Sequence, residues 1–249
     1  LAERAVEAAA PLDRYLPGAA SVDLVAPATG GVQVIVAERD TTGKRRRPPG
    51  KPIREIVHDR EFQLDAAGFW QVHSRAAETL YDAVQNAIDG AQFDPRASNL
   101  DLYGGVGLLA AAVGDRFGPG VRITSVESDA RATDYAAQNL LDWVGASAQT
   151  DRVDRFLDRT NREAGAAERA RLAAATVVLD PPRAGAGKAV VDQLGVMGPQ
   201  QIVYVACDPV ALARDVALLA GHGYGLRHLR AFDLFPNTHH VEAVALLTR

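Results

Sequence analysis

The sequence contains one cysteine, Cys207, in 249 residues. A single thiol excludes an internal disulfide, a Cys-rich zinc site and a self-contained iron–sulfur cluster. It fits a reducing compartment, so the expected location is cytoplasmic. No apolar run approaches the roughly 18–20 residues of a membrane span, so no membrane partner is expected. No signal peptide is visible. Basic charge is not in excess: 27 Lys and Arg stand against 31 Asp and Glu, a formal net charge of -4. A nucleic-acid partner would need a local basic surface. No metal is expected either, because His239 and His240 are adjacent and have no supporting Cys or Asp cluster. The chain begins at Leu1 rather than Met, and it reads as a fragment lacking an N-terminal module. Apolar residues are plentiful: 47% of the chain is enough for a substantial core.

Two patterns divide the chain. "LAERAVEAAAPL" begins as a short helix and stops at Pro11. "SVDLVAPATGGVQVIVAERD" alternates, with Val32, Val34 and Val36 on one face, and reads as strands around a Gly30-Gly31 turn. "TTGKRRRPPGKP" is a loop holding Lys44, Arg45, Arg46, Arg47 and Lys51. It is either a solvated loop or a contact for RNA phosphate. "IREIVHDREFQLDAAGFWQVH" looks like further strands, with Phe69 and Trp70 expected in the core. The expected organisation is a small β-rich domain over 1–65, a candidate for RNA contact, and a larger domain over 66–249. From "HSRAAETLYDAVQNAIDG" onward strands alternate with helices, which argues a doubly wound parallel sheet. "YGLRHLRAFDLFP" and "HHVEAVALLTR" close the chain as two strands with no helix between them, which suits an antiparallel end.

In "DLYGGVGLLA" glycines follow a strand and open a helix, where a backbone approaches a ligand closely. Gly105, Gly107 and Ala110 fit a dinucleotide pattern, and Glu127 could hold a ribose of a nicotinamide or an adenosyl cofactor. Asp101 favours S-adenosylmethionine, since a carboxylate suits a cation better than a pyrophosphate. Asp180 in "LDPPRAG" ends the next apolar strand, where it could reach an adenine or a target base. Tyr103 either packs under the turn or contacts the cofactor, and Asn139 reads as packing beneath the crevice.

Cys207 ends the apolar strand "IVYVA" and has two readings, a buried small hydrophobe or a nucleophile. The helix that follows "CDP" favours a thiolate. Glu242 stands just before a terminal apolar strand, where a carboxylate is out of pattern. A thiolate that adds to carbon 6 of a pyrimidine makes carbon 5 reactive toward a methyl donor. A base must then remove the carbon-5 proton. Cys207 and Glu242 supply both roles.

"DLYGGVG", "DPPRAG", "VYVACDP" and "FPNTHHVEAVALL" occur in the order found in the RNA uracil-5-methyltransferases, and the chain resembles that family from about Gly68 to Arg249. The resemblance implies a class I methyltransferase domain that makes 5-methyluridine in tRNA or rRNA. It implies S-adenosylmethionine held by Gln71, Tyr103, Glu127 and Asp180, beside the Asp101 and Gly105 read from the strand end and the turn, with Cys207 as nucleophile and Glu242 as base. Gln71 and Tyr103 come from the resemblance alone. Lys44, Arg45, Arg46, Arg47 and Arg183 remain as candidates for RNA phosphate. Ala206, Asp208 and Gly104 depart from the residues frequent in the family, and the Asp208 charge is expected to raise the thiol pKa. Many members carry an N-terminal RNA-binding β-barrel that is not visible here. Two other readings are a nucleotide-dependent oxidoreductase and a non-catalytic RNA-binding module.

Overall fold

The computed structural model describes residues 19–46, 48, 50–238 and 240–249, and the side chains of all of these except Arg45 and Arg46. The expected N-terminal helix, Arg47 and His239 lie outside the described residues. The chain divides into two compact units, Leu1–Ser74 and Arg75–Arg249.

The smaller unit has two antiparallel sheets. In one, β1 (Ala19–Val25), β2 (Gln33–Arg39) and β3 (Arg45–Arg46) pair in that order. The other is a hairpin of β4 (Pro52–Val57) and β5 (Arg60–Asp65). The period-2 pattern of β2 is present, but its buried side chains are Ile35 and Ala37, while Val34 is exposed. The periodicity is therefore real and the valine face is not the core face. Alternation sets the period of a strand, and tertiary packing decides which side is covered. The segment "GFWQVH" forms no strand. Phe69 is 73% exposed, whereas Trp70 packs its ring 5.8 Å from that of Phe62.

The larger unit is a three-layer α/β domain. Its elements are α1 (Ala76–Ala87), β6 (Asn99–Leu102), α2 (Leu108–Phe117), β7 (Ile123–Glu127), α3 (Ala130–Asn139), β8 (Ala146–Thr150), α4 (Val153–Glu163) and α5 (Ala166–Ala173). They continue with β9 (Thr176–Leu179), α6 (Gly187–Met197), β10 (Gln201–Ala206), α7 (Pro209–Gly221), β11 (Gly225–Phe232) and β12 (Glu242–Thr248). The seven strands pair in the order β11-β12-β10-β9-β6-β7-β8. Strands β8, β7, β6, β9 and β10 run parallel, and β12 is antiparallel to both its neighbours. Chain order reverses between β6 and β9, the switch point where ligands bind in such sheets.

The central strands "NLDL", "TVVL" and "QIVYVA" are buried throughout because helices cover both sheet faces. On one face Leu102, Leu179, Tyr204, Ala243, Ala245 and Leu247 join the core beneath α4, α6 and α7. The opposite face carries α1, α2 and α3. Local chemistry sets the helix starts. Asp129 accepts from the Arg131 and Ala132 N–H groups to cap α3, and Asp208 caps α7 with Pro209 in its first turn.

Candidate active site at the carboxyl edge of the sheet

The turn after β6 forms the centre of the site. Tyr103 adopts φ 61, a left-handed conformation uncommon for a bulky side chain. Its ring packs against the core under α4 and α7, and burial pushes its pKa to about 12, with Asp154 and Asp215 adding to the rise. A Cβ at Gly104 would run into Ser125 Oγ and Asp101 Oδ2, so Ser125 fills the space a side chain there would need. Gly105 has φ 54 and a Cβ there would meet nothing, so its backbone faces open space. Its N–H donates to Glu127 Oε2 at 3.2 Å. Glu127 Oε1 accepts from Ser128 Oγ at 3.0 Å and from the Asp129 N–H at 2.8 Å. From the end of α3, Asn139 Nδ2 donates to the Val106 carbonyl at 2.9 Å and ties the turn down.

Asp101 lies beneath this turn with no solvent exposure. Its Oδ2 accepts from Ser125 Oγ at 3.0 Å, while Oδ1 is buried without a hydrogen-bond partner. Burial raises its pKa to about 7, opposed by Ser125 and the Ala110 N–H. Asp101 thus supports the turn from below.

Asp180 follows β9, and its N–H bonds the Leu102 carbonyl at 3.2 Å. The loop after it is held by Asp215, a fully buried residue of α7. Asp215 Oδ2 accepts from Tyr204 Oη at 2.6 Å and from the Ala186 and Gly187 N–H groups at 2.8 and 3.2 Å. Oδ1 pairs with Arg214, whose Nη2 also donates to the Ala184 carbonyl at 2.7 Å. The sequence reading missed this hub. Its one signal is that Leu212, Asp215 and Leu219 share a helix face, which puts a carboxylate on an apolar stripe.

Cys207 and Glu242 meet through strand register. Ala206 of β10 pairs with Ala243 of β12. The next residue outward is Cys207 on one strand and Glu242 on the other. Cys207 is a free, partly exposed thiol and Glu242 is 3% exposed. Burial raises Glu242 to about 7. Asp180 is also raised to about 7, by burial and then by the Glu242 carboxylate. The Cys207 thiol is pushed up as well, first by burial, then by Glu242 and Asp180, with Arg183 opposing. This corrects the expectation of a helix-activated thiolate. The first N–H groups of α7 are engaged by Asp208, whose Oδ1 accepts from Val210 and Ala211 at 2.9 and 2.8 Å. Asp208 acts as this cap and is not among the groups that raise the thiol.

The structure therefore brings Asp101, Tyr103, Gly105, Glu127, Asp180, Arg183, Cys207 and Glu242 to one edge of one sheet. Gln71 and Lys44 belong to the smaller unit, as does β3 with Arg45 and Arg46. Lys44 is exposed, in a turn organised by Asp40, whose Oδ1 accepts from the Lys44 N–H at 3.0 Å. No group of three or more His, Cys, Asp or Glu with metal-ligand spacing occurs among the described residues. The edge suits a cationic adenosyl cofactor on its own atoms. The backbone at Gly105 is open and Glu127 is fixed beside it.

A family model described as tRNA (uracil-5-)-methyltransferase matches residues 100–249. An uncharacterized RNA methyltransferase of Streptomyces avermitilis is 43% identical over 87% of this chain and 47% of its own length. One from Streptomyces coelicolor is 42% identical over 85% of this chain and 43% of its own. The chain thus spans about half the length of these relatives. Among solved structures, the Pyrococcus abyssi tRNA (uracil-54, C5)-methyltransferase in complex with S-adenosyl-L-homocysteine is 30% identical, with a TM-score of 0.61. That match covers 83% of this chain and 47% of the other. The strand order, the residues at its carboxyl edge and these matches agree: the chain belongs to the tRNA (uracil-5-)-methyltransferase family.

Proposed function

We propose that the protein methylates carbon 5 of a uridine in a structured tRNA or rRNA, in the cytoplasm, with Cys207 as nucleophile and Glu242 as base. The observation that carries this reading is the β10–β12 register, which sets a partly exposed thiol beside a buried carboxylate at the edge where the glycine turn opens. S-adenosylmethionine, when bound, supplies the methyl group to carbon 5. The turn at Tyr103 and Gly105, with Glu127 and Asp180, would hold it, supported from below by Asp101.

The chain's own residues then divide the chemistry. The Cys207 sulfur adds to carbon 6 of the uracil while its thiol proton passes to the carbon-4 carbonyl oxygen, and the resulting enol makes carbon 5 a nucleophile. Once carbon 5 carries the methyl group, Glu242 takes the carbon-5 proton. The carbon–sulfur bond breaks and Cys207 is released. A carboxylate that titrates near 7 is suited to a base at neutral pH. The target nucleotide must leave its stack to reach Cys207. Arg183, exposed on the loop after Asp180, would meet a phosphate in this reading, and Lys44, Arg45, Arg46 and Arg47 would be further phosphate contacts.

The test is incubation of wild type and Cys207→Ala with methyl-labelled S-adenosylmethionine and unmodified RNA, followed by nucleoside analysis. Labelled 5-methyluridine from wild type alone is the expected result. Undiminished labelling by Cys207→Ala would remove the covalent mechanism.

A further inference from the structure

Strand β11 lies at the edge of the seven-stranded sheet, and every residue from Gly225 through Ala231 is exposed. Its register against β12 is broken between Leu226 and His228, so that Arg227 is an extra residue. Side chains alternate along a strand, and directly paired residues share a face. Phe232 pairs with Glu242, Arg230 with Val244 and His228 with Leu246. These three therefore stand on the face that carries Glu242. Leu229 and Ala231 pair with Ala245 and Ala243, on the face of the Tyr204 core.

In an unbroken strand Arg227 would fall on the Leu229 face. The bulge re-aims it. Its Nε donates to Thr248 Oγ1 at 2.8 Å, and Thr248 stands on the Glu242 face. One row results, Arg227, His228, Arg230 and Phe232, about 17 Å long at the usual strand rise and ending beside Glu242. The Arg230 guanidinium sits 5.1 Å over the Phe232 ring. The strand "GLRHLRAF" has no acidic residue, and Asp233 follows its end. Among the described residues no carboxylate pairs with Arg227 or Arg230. In a chain of net charge -4, this local row meets the requirement for a basic surface.

The geometry points to β11 as a docking strand for the RNA substrate, with Arg227 and Arg230 on phosphates and the Arg230–Phe232 pair stacking a base that flanks the target. This rests on the RNA-methyltransferase reading and names where that RNA lies. Guanidinium forks match phosphate oxygens, and an aromatic ring under a guanidinium stacks any base without regard to sequence. The register supplies the direction, because the row leads to the base that acts on the target.

The test compares wild type with Arg227→Ala/Arg230→Ala, with Arg230→Glu, and with Arg230→Lys as the conservative control. The probe is a pool of unmodified tRNA transcripts, with affinity measured across a salt series. The double variant should bind about tenfold more weakly, and its log–log salt slope should shrink by about 2. Arg230→Glu should weaken binding further, and Arg230→Lys should restore most of it. S-adenosylmethionine affinity and turnover at saturating RNA should stay near wild type. Unchanged RNA affinity and salt slope would overturn the proposal. So would a wild-type chain that is a dimer in solution and becomes a monomer on Arg230→Glu, since an open edge strand also pairs with a second copy. Intact RNA binding without 5-methyluridine would count against the reaction alone and leave the docking strand standing.

Discussion

Glu127 on one side of the site and the Asp180–Glu242 pair on the other are similar carboxylates treated oppositely. On the β6–β7 side, Glu127 accepts three hydrogen bonds from Gly105, Ser128 and Asp129. On the β10–β12 side, the side chains of Asp180, Cys207 and Glu242 make no hydrogen bond to another described residue. The first half is fixed before any ligand arrives. In the second, burial raises the pKa of all three groups. Preorganised groups bind, and groups whose charge the protein disfavours are poised to exchange protons.

Four experiments bear on that contrast. Cys207→Ala should lower methylation by more than about 10⁴-fold, because removing a covalent nucleophile removes the pathway. Its thermal midpoint should move little, and single-turnover assays with the melting curve check both. Glu242→Gln should slow turnover by about 10²–10⁴-fold. In wild type, log kcat/KM should climb through pH 7 as the carboxylate ionises, and that inflection should vanish in the variant. The same change carries a stability signature. A folded pKa raised to about 7 favours the protonated acid, so its stabilising effect is full below about pH 4 and is lost as pH rises through 7. Wild type should therefore melt lower at pH 8 than at pH 5, and Glu242→Gln should narrow that gap. An equal gap in both proteins would break the comparison.

Asp215→Ala should destabilise by about 3 kcal/mol, since it strands Arg214, Tyr204 and two backbone N–H groups. Asp215→Asn should recover part of that stability, while turnover stays reduced because the loop carrying Arg183 is no longer tied as firmly to α7. Denaturant melts and kcat measurements separate the two effects. The smallest change is expected from Gly104→Ala, at about 1–3 kcal/mol from overpacking against Ser125 and Asp101. Titration calorimetry should show weaker S-adenosylmethionine binding. Undiminished affinity would mean that the β6 turn is not as rigid as its hydrogen bonds imply.

Much of this was legible in the residues. "DLYGGVG" and "VYVACDP" announce strand, turn and helix by local chemistry, and the out-of-pattern Glu242 announces itself against an apolar strand. Where the sequence reading fell short, the cause is non-local. The strand β8, "ASAQT", has no apolar alternation because it is an outer strand with little to bury. Asp215 looks like any helix acid until the chain brings a loop 28 and 29 residues away onto it. The thiol's raised pKa comes first from burial and then from Glu242 and Asp180, none of which its own strand shows. The bulge at Arg227 is a pairing irregularity, and no single strand contains one.

The suppressed acidity of Cys207 has a consequence outside catalysis. Peroxides and electrophiles attack thiolates far faster than thiols. A thiol held neutral by its neighbours is slow to be oxidised or alkylated while the enzyme waits for substrate. Burial, and after it the Glu242 and Asp180 carboxylates, would thereby shelter the proposed nucleophile. Because the chain has no other cysteine, the rate at which it takes up iodoacetamide reads that shelter at a single atom.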